Sequence, residues 1–302
     1  MRRMGENMFV WVILNYITTD QTIQEVESIQ QIVGGEKKIV IVDNASPNNS
    51  GMKLTTYFQN SDIVEVIQNS SNEGFARGNN VGYRAALKYS PEFIVFLNND
   101  ILVSDRNFQK EVSRIHSKTN FDLFGPDIVG LSSDTHQNPK RPDATSNGRV
   151  SEQISKNQAL LDHPLRLEVH AWLKSISFIR KPIQRLSRSH LDLRWKFPQE
   201  NVVLHGSFFV VSRNMMDHFP KQIFFPETFF YFEMEILDLI RKQEGLKSYY
   251  SPEIQVEHLQ NSSTKKSHTN DSERLRFQAR EMVKSGKIFL RVQNRVGELH
   301  ES

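Results

Sequence analysis

Two acidic residues stand at positions where chemistry is available to them. Asp43 closes the apolar run "KKIVIVD" and precedes Asn44-Ala45-Ser46-Pro47, and Asp100 closes "FIVFLNND". A carboxylate at a strand tip can accept hydrogen bonds from the N3–H of uracil or thymine, or from a ribose hydroxyl. It can equally well serve a turn by bonding its own backbone two residues on. Asp100 has the turn option too, or it can hold a divalent cation. Mg²⁺ and Mn²⁺ suit oxygen ligands and often take one or two carboxylates plus phosphate oxygens. Between the two acids lies "EGFARGNNVGYRAA" (Glu73–Ala86), with three glycines and two asparagines ahead of a helical pattern. Glycine permits positive φ and close backbone approach, and a glycine-rich turn that opens a helix can receive a phosphate. The spacing is Gly74-x-x-x-Gly78-x-x-x-Gly82. A dinucleotide fingerprint needs G-x-G-x-x-G directly after the first strand, where this chain has "NYITTDQT". A P-loop needs Gly-Lys-Ser/Thr after its glycines, and none follows.

The elements that must position these residues alternate over the first hundred positions. "FVWVILNY" (Phe9–Tyr16) predicts a strand, and Thr18–Val33 a helix with Ile23, Val26, Ile29 and Ile32 on one face, stopped by Gly34-Gly35. A strand ending at Asp43, a helix near Met52–Gln59, a strand over Ile63–Asn69, the glycine-led helix to Tyr89 and a strand over Phe93–Asp100 follow. The continuous apolar runs suit strands buried on both faces. Alternating strands and helices imply an α/β fold with a mostly parallel sheet and right-handed crossovers. Ligands of such sheets sit at the carboxyl ends of the strands, where Asp43 and Asp100 lie. Beyond Pro198, "NVVLHGSFFVVSR" and "KSYYSPEIQVEHL" predict strands, and "FPETFFYFEMEILDLIRKQEG" an aromatic loop running into an amphipathic helix closed by Gly245. Ser272 to about Arg295 predicts a helical tail.

Composition narrows the class. A length of 302 residues allows one large domain or two small ones. No apolar run approaches the roughly 20 residues that span a bilayer, and no leader with a cleavage site is evident. The absence of cysteine rules out disulfides and thiolate metal sites and is compatible with a reducing cytoplasm. A net charge of +3 gives no argument for nucleic acid. The charge is uneven, however: Ser151–Pro198 carries nine Lys/Arg against four Asp/Glu.

Taken in order, "VILNYITTDQT", "IVIVDNASPNNS", "NEGFARGNNVGYRAA" and "FIVFLNNDI" resemble the inverting glycosyltransferases of family 2, which have a GT-A fold. The likeness is greatest to the rhamnosyltransferase-like and capsular-polysaccharide branch. It covers about the first 130 residues and resumes at "HGSFFVVSR", the "FFYFEMEIL" helix and "SPEIQVEHLQNSS". The resemblance implies a single domain over 1–302: a nucleotide-sugar half (1–130), a basic helical insert (139–198), an acceptor and catalytic half (199–270) and a helical tail (271–302). It implies that Asp43 holds the nucleoside, with Asn15 and Asn44 on the same side. It implies that Asn98-Asn99-Asp100 stands for a D-x-D-type motif whose first acid is replaced by Asn98, so that Asp100 binds the metal. Asn72, Gly74, Arg77, Gly78 and Asn79 would shape the donor pocket, while Gly82 is assigned to helix packing. His258 matches a histidine that often reaches the metal or diphosphate, and His205 precedes a turn resembling the acceptor-side segment.

The same resemblance locates the base. Inverting transfer needs a carboxylate to take the acceptor hydroxyl's proton, and the family places acids at the start of the "YFEMEIL" helix. Against the short form, Met234 falls on the usual acid. Against the longer acid-acid-acid form, Glu235 does. Glu235 is the expected base and Glu233 its donor- or acceptor-binding partner, with capping of the helix N-terminus as the other use of either acid.

The implied cofactor is Mg²⁺ or Mn²⁺. The implied partners are a UDP- or dTDP-type sugar donor and a glycan or lipid-linked glycan acceptor. The insert, with Trp172, Phe178, Trp195 and flanking cations, is either a solvated excursion or a surface for membrane headgroups. The expected location is the cytoplasm, with peripheral contact at the inner face of the membrane as an option. The competing readings are a nucleotidyltransferase on a related sheet, which would need a basic glycine-rich loop after the first strand, and a catalytically inactive nucleotide- or sugar-binding protein.

Overall fold

The computed structural model describes residues 7–131, 135–165, 167–168, 193–259 and 271–300, with side chains to 295. Among the described residues the strands are β1 (Phe9–Asn15), β2 (Lys37–Asp43), β3 (Val64–Gln68), β4 (Phe93–Asn98), β5 (Ile101–Leu102), β6 (Leu123–Gly130), β7 (Thr135–His136), β8 (Gln199–Glu200), β9 (Phe208–Ser212) and β10 (Ser248–His258). The helices are α1 (Thr19–Ile32), α2 (Ser50–Phe58), α3 (Gly74–Leu87), α4 (Phe108–Thr119), α5 (Asn147–Asp162), α6 (Arg213–His218), α7 (Glu233–Gln243) and α8 (Asp271–His300).

All ten strands form one sheet in the order β3-β2-β1-β4-β9-β6-β10-β5, with β7 on β6 and β8 on β10. Successive side chains of a strand point to opposite faces, and here both faces are covered. Val10, Val12, Val40, Val42 and Phe96 meet α3, α6 and α7 on one side. Phe9, Trp11, Ile13, Ile39 and Val95 meet α1, α2 and α4 on the other. This is why the central strands β1 and β4 are apolar at almost every position rather than at alternate ones. A smaller cluster joins α5, α7 and α8 through Val150, Ile236, Phe289 and Val292.

The sheet is parallel across β3-β2-β1-β4 and again at β6/β10. Between these parts β9 runs antiparallel to β4 and β6. Its antiparallel course brings the start of β9 beside the end of β4, with Phe208 opposite Leu97. The register also aligns Asn15 with Asp43, Leu14 with Asn98, and His258 with both Gly130 and Ile101. The expected acid-bearing strand ends therefore share one edge, joined by the residues that lead into β9 and leave β10.

Helix α4 and strand β6 are additions to the sequence-based picture. β6 contains Gly125-Pro126-Asp127, residues that weaken or interrupt ladder pairing, and its partner β10 shifts register there, between Ser251 and Gln255. Of the basic insert, α5 and Trp195 are described. Trp172, Phe178 and the cations Arg180, Lys181, Arg185 and Arg188 lie outside the described residues. Among the described residues no helix is long and apolar enough to cross a membrane.

Candidate functional site

Asp43 is buried at the tip of β2. One carboxylate oxygen accepts from the Asn15 amide at 2.6 Å and the Ser46 hydroxyl at 2.7 Å, and the other from the Ser46 backbone N–H at 3.0 Å. The Asx-turn and the binding role are thus not exclusive: the turn fixes the carboxylate, and a carboxylate has about four acceptor sites. Asn15 is fixed in turn by Thr22, whose hydroxyl donates to it at 2.8 Å. Asn99 sends its amide back to the Thr18 and Thr22 hydroxyls, the latter at 2.8 Å, so its side chain braces α1. Asn98 is half-buried, and its backbone N–H donates to the Ser207 carbonyl at 2.9 Å.

Asn44 is a hub. Its amide donates to Asn72 and to the Gly74 carbonyl, and its oxygen accepts from Asn69 and from the Glu73 backbone, all at 3.0 Å. Asn72 also accepts the Gly74 N–H at 3.0 Å. The glycine-rich stretch is packed against protein on every side that its contacts report. Gly74 has φ +72°, and a Cβ there would lie 2.5 Å from the Phe229 carbonyl oxygen. That same carbonyl takes the Phe75 N–H at 2.8 Å. At Gly78 a Cβ would meet Leu14 at 2.7 Å, and at Gly82 it would meet Val12 at 2.4 Å. Asn79 bonds the Phe75 carbonyl one turn back. Arg77 is exposed, bonds the Pro226 carbonyl at 2.8 Å, and with Arg84 and Gln222 lines a surface groove. Asn80, which sequence reasoning passed over, is buried; it accepts the Ile223 and Phe224 N–H groups and donates to the Phe224 carbonyl. The stretch therefore clamps the chain over residues 223–229, the segment that delivers α7.

Asp100 and His258 are brought together from opposite ends of the sequence. His258 Nε2 lies 3.1 Å from Asp100 Oδ1, and Nδ1 lies 2.8 Å from Gln137 Oε1. The Leu259 N–H donates to the Asp100 carbonyl at 2.9 Å. An amide oxygen only accepts, so Nδ1 carries hydrogen. Nε2 faces the carboxylate, and the two groups are placed to share a cation. One carboxylate and one imidazole form a donor set that fits Mg²⁺ or Mn²⁺ as a partial site. Among the described residues no group of three or more His, Asp or Glu side chains could hold the ion without further ligands, so phosphate oxygens would have to complete its shell.

His205 stands beside this pair, its ring 6.3 Å from that of His258. Its Nδ1 accepts the Ser207 N–H at 3.2 Å. Burial, followed by the charges of Lys140 and His258, lowers its pKa to about 3. It is therefore a neutral imidazole with hydrogen on Nε2. Gly206 packs on Met234, with a Cβ placed 3.1 Å from Met234 Cγ, so the His205-Gly206-Ser207 turn abuts the start of α7.

That start is backbone-strained. Tyr231 and Phe232 both have positive φ, at +74° and +65°. For bulky side chains this is an outlier costing on the order of 1–3 kcal/mol each. Glu233 and Glu235 follow directly, both buried. Glu235 Oε1 is held by Lys140 Nζ at 2.8 Å and the Arg141 guanidinium at 3.4 Å. Burial pushes the Glu235 carboxyl up, but the two cations outweigh it and hold the group below the ordinary value. Glu233 and Glu235 each have one carboxylate oxygen without a partner, Oε1 and Oε2 respectively, but among the described residues Glu233 has no cation on its other oxygen. Its pKa is raised to about 7, chiefly by burial, against smaller opposing effects of its own backbone N–H and Lys140 and a further upward push from Glu235. Lys140 and Arg141 are the members of this site that the sequence did not reveal. They sit in a stretch of polar composition, and the bonds of Lys140 and Arg141 to Val203 and of Asn138 to the His205 N–H carry them to the sheet edge.

The chain is similar to known proteins in sequence and in fold. The family described as Glycosyl transferase family 2 matches residues 13–186. Over 119 residues the chain is 27% identical to the low-salt glycan biosynthesis hexosyltransferase Agl10 of Haloferax volcanii, covering 39% of this chain and only 36% of that protein. Among solved structures, residues 1–349 of TarS from S. aureus align at a TM-score of 0.53 and 11% identity, covering 83% of this chain and 60% of that one. GalNAc-T7, solved with UDP, GalNAc and Mn²⁺, aligns at 0.52 and 13%, covering 92% and 48%. At such identities the structures establish the GT-A fold and nothing finer. With more than half of the chain matched by the family, from the end of β1 through both strand-tip acids, this protein belongs to glycosyl transferase family 2.

Proposed function

We propose that the chain is an inverting glycosyltransferase that moves a hexose or deoxyhexose from a UDP- or dTDP-type donor to a growing bacterial surface glycan. The capsular and rhamnosyltransferase-like branch is our reading of its place in the family. The observation that carries the proposal is the unequal pair at the start of α7: one acid clamped by two cations, the other buried without a salt-bridge partner among the described residues and with a pKa near neutrality.

In this reading Glu233 is the base. The acceptor oxygen attacks the anomeric carbon, the bond from that carbon to the diphosphate oxygen breaks with its electron pair leaving on the diphosphate, and the hydroxyl proton passes to Glu233. A general base works best with a pKa near the operating pH, which Glu233 meets and Glu235 does not. The roles expected from the sequence are thereby exchanged: Glu235 becomes the partner that keeps Lys140 and Arg141 in place. Asp43, fixed by Asn15 and Ser46, offers its remaining acceptor capacity to the base or ribose of the donor. Asp100 and His258 would hold Mg²⁺ or Mn²⁺, and such an ion offsets the charge that develops on a departing diphosphate. His205 presents an N–H from a ring that stays neutral.

The second reading is a nucleotide-sugar-binding protein without turnover. It is favoured by Met234, which is packed into the core where acids are common in the family. One experiment separates the two: a screen of UDP- and dTDP-sugars with and without Mn²⁺, following both thermal stabilisation and release of free nucleotide diphosphate. Stabilisation with release supports transfer, stabilisation without release supports binding alone, and neither refutes the proposal.

A further inference from the structure

Helix α8 packs one face on the body and turns the other to solvent. Leu275, Ala279, Val283, Phe289 and Val292 are buried, and Gly286 lets the helix approach Ile154 of α5 so closely that a Cβ would lie 2.8 Å from its Cγ1. Between 276 and 295 the exposed positions are Arg276, Arg280, Lys284, Lys287, Arg291 and Arg295, with Asn294 the single exposed residue that is not a cation. At 3.6 residues per turn the six cations fall within an arc of about 100° and along about 28 Å of helix.

Lys284 pairs with Glu281 at 3.3 Å and Arg291 with Glu227. No ion pair or hydrogen bond is recorded among the described residues for Arg276, Arg280, Lys287 or Arg295. A chain with a net charge of only +3 has therefore concentrated cations in one row. Helix propensity does not call for this, since like charges four apart repel.

We propose that this face of α8 is a docking surface for a membrane bearing anionic lipid headgroups. Charge complementarity selects a polyanionic partner. An exposed apolar neighbour favours lipid over nucleic acid: Leu165 is 79% exposed and lies two residues before Leu167, which packs on Leu275 of α8. The row carries no exposed aromatic on which bases could stack. Adsorption of this kind needs only cations within a Debye length of the headgroups and is weakened by salt. The inference extends the proposed function, whose acceptor is a glycan that can be lipid-linked, but its test uses no transfer reaction and so fails or succeeds separately.

The test is co-sedimentation of the full chain with vesicles of phosphatidylcholine alone and with about a third phosphatidylglycerol, an anionic fraction sufficient for electrostatic adsorption. Two variants accompany it. One replaces Arg276, Arg280, Lys287 and Arg295 by Gln. The other makes the same charge change elsewhere, with Lys53, Lys88, Lys110 and Lys118 replaced by Gln. All eight side chains are exposed, so both variants should fold, which circular dichroism verifies. The expected result is binding to the anionic vesicles alone, lost at high salt. The α8 variant should bind more weakly by about fivefold per removed charge, several hundredfold in all, and the control variant close to wild type. Equal loss in both variants would show a mere net-charge effect and overturn the proposal. Wild type ignoring anionic vesicles would do the same. Wild type binding a DNA duplex through α8 while leaving vesicles alone would replace the membrane by nucleic acid.

Discussion

Replacing Glu233 by Gln keeps the size of the side chain and removes the proton acceptor, and the structure fixes what should follow. A free glutamate titrates near 4.5, whereas this one is raised to about 7. Its folded state therefore holds a proton between those values that the unfolded state releases. The stability contributed by the neutral acid is complete below pH 4.5 and is lost as pH rises through 7. A separation of about 2.5 units corresponds to about 3 kcal/mol at 1.36 kcal/mol per unit. Urea unfolding of Glu233→Gln should thus match wild type near pH 4 and exceed it by up to that amount near pH 8. Catalysis should move oppositely. Wild-type kcat/KM should climb through pH 7 as Glu233 loses its proton, and the variant should lose about 10²–10⁴ in kcat with donor affinity nearly unchanged. Glu235→Gln should act mainly on KM, because that acid is already engaged by Lys140 and Arg141. The assay is release of nucleotide diphosphate across pH 5–9 for both variants with one acceptor. The assignment is refuted if Glu235→Gln abolishes kcat while Glu233→Gln retains it, or if the rise in kcat/KM through pH 7 persists in the Glu233 variant.

The other residues give sharper separations between binding and folding. Lys140→Gln strips a buried carboxylate of its nearest cation and should cost about 2–3 kcal/mol at pH 7, less than the 3–5 of a fully buried pair because Arg141 remains; Lys140→Arg should recover most of it, and an unchanged urea midpoint would remove Lys140 from the site. Asp43→Ala should weaken donor binding by about 1.5–3 kcal/mol, read by calorimetry with UDP and dTDP. Asp100→Ala should abolish metal-dependent donor binding while the fold survives; full activity in EDTA would show that no ion is needed. Gly82→Ala forces a methyl to within 2.4 Å of Val12 and should destabilise by about 1–3 kcal/mol, leaving the donor Kd of the folded fraction as it was.

The parts of the fold legible in the sequence are those in which a single local signal decides. β1, β2 and β4 are apolar runs ended by polar residues, and their parallel register carries Asn15, Asp43 and Asn98 to one edge. The pairing of Asp100 with His258 was expected only through the family, since 158 positions separate them. What stayed hidden depends on contacts that no periodicity encodes. Lys140 is a surface-type residue in a polar stretch, and its role arises from the Arg141–Val203 bridge. Asn80 looks like the neighbour of a motif asparagine, yet its amide holds the backbone of Ile223 and Phe224. β6 hid behind its own Gly-Pro. The choice between Glu233 and Glu235 was open for the same reason: two acids two residues apart are equivalent in a sequence, and the structure distinguishes them by the cations that reach Glu235.

The glycine-led helix and the long C-terminal helix act on one target from two sides. Tyr231 and Phe232 sit in a backbone conformation costly for aromatic residues, and such strain persists only where the surroundings over-determine it. From α3, Asn80 and the Phe75 N–H hold residues 223–229. From α8, the Ser285 hydroxyl bonds the Phe230 carbonyl at 2.7 Å and Phe289 packs on Phe232, ring centres 5.4 Å apart. These grips hold the strained entry to α7, and with it the position of Glu233 on the first turn. The glycines of "EGFARGNNVGYRAA" are therefore required for close approach within the protein: Gly74 admits the Phe229 carbonyl where any Cβ would exclude it. A substitution at Gly74 should then lower kcat through a misplaced Glu233 even though it touches no reacting atom.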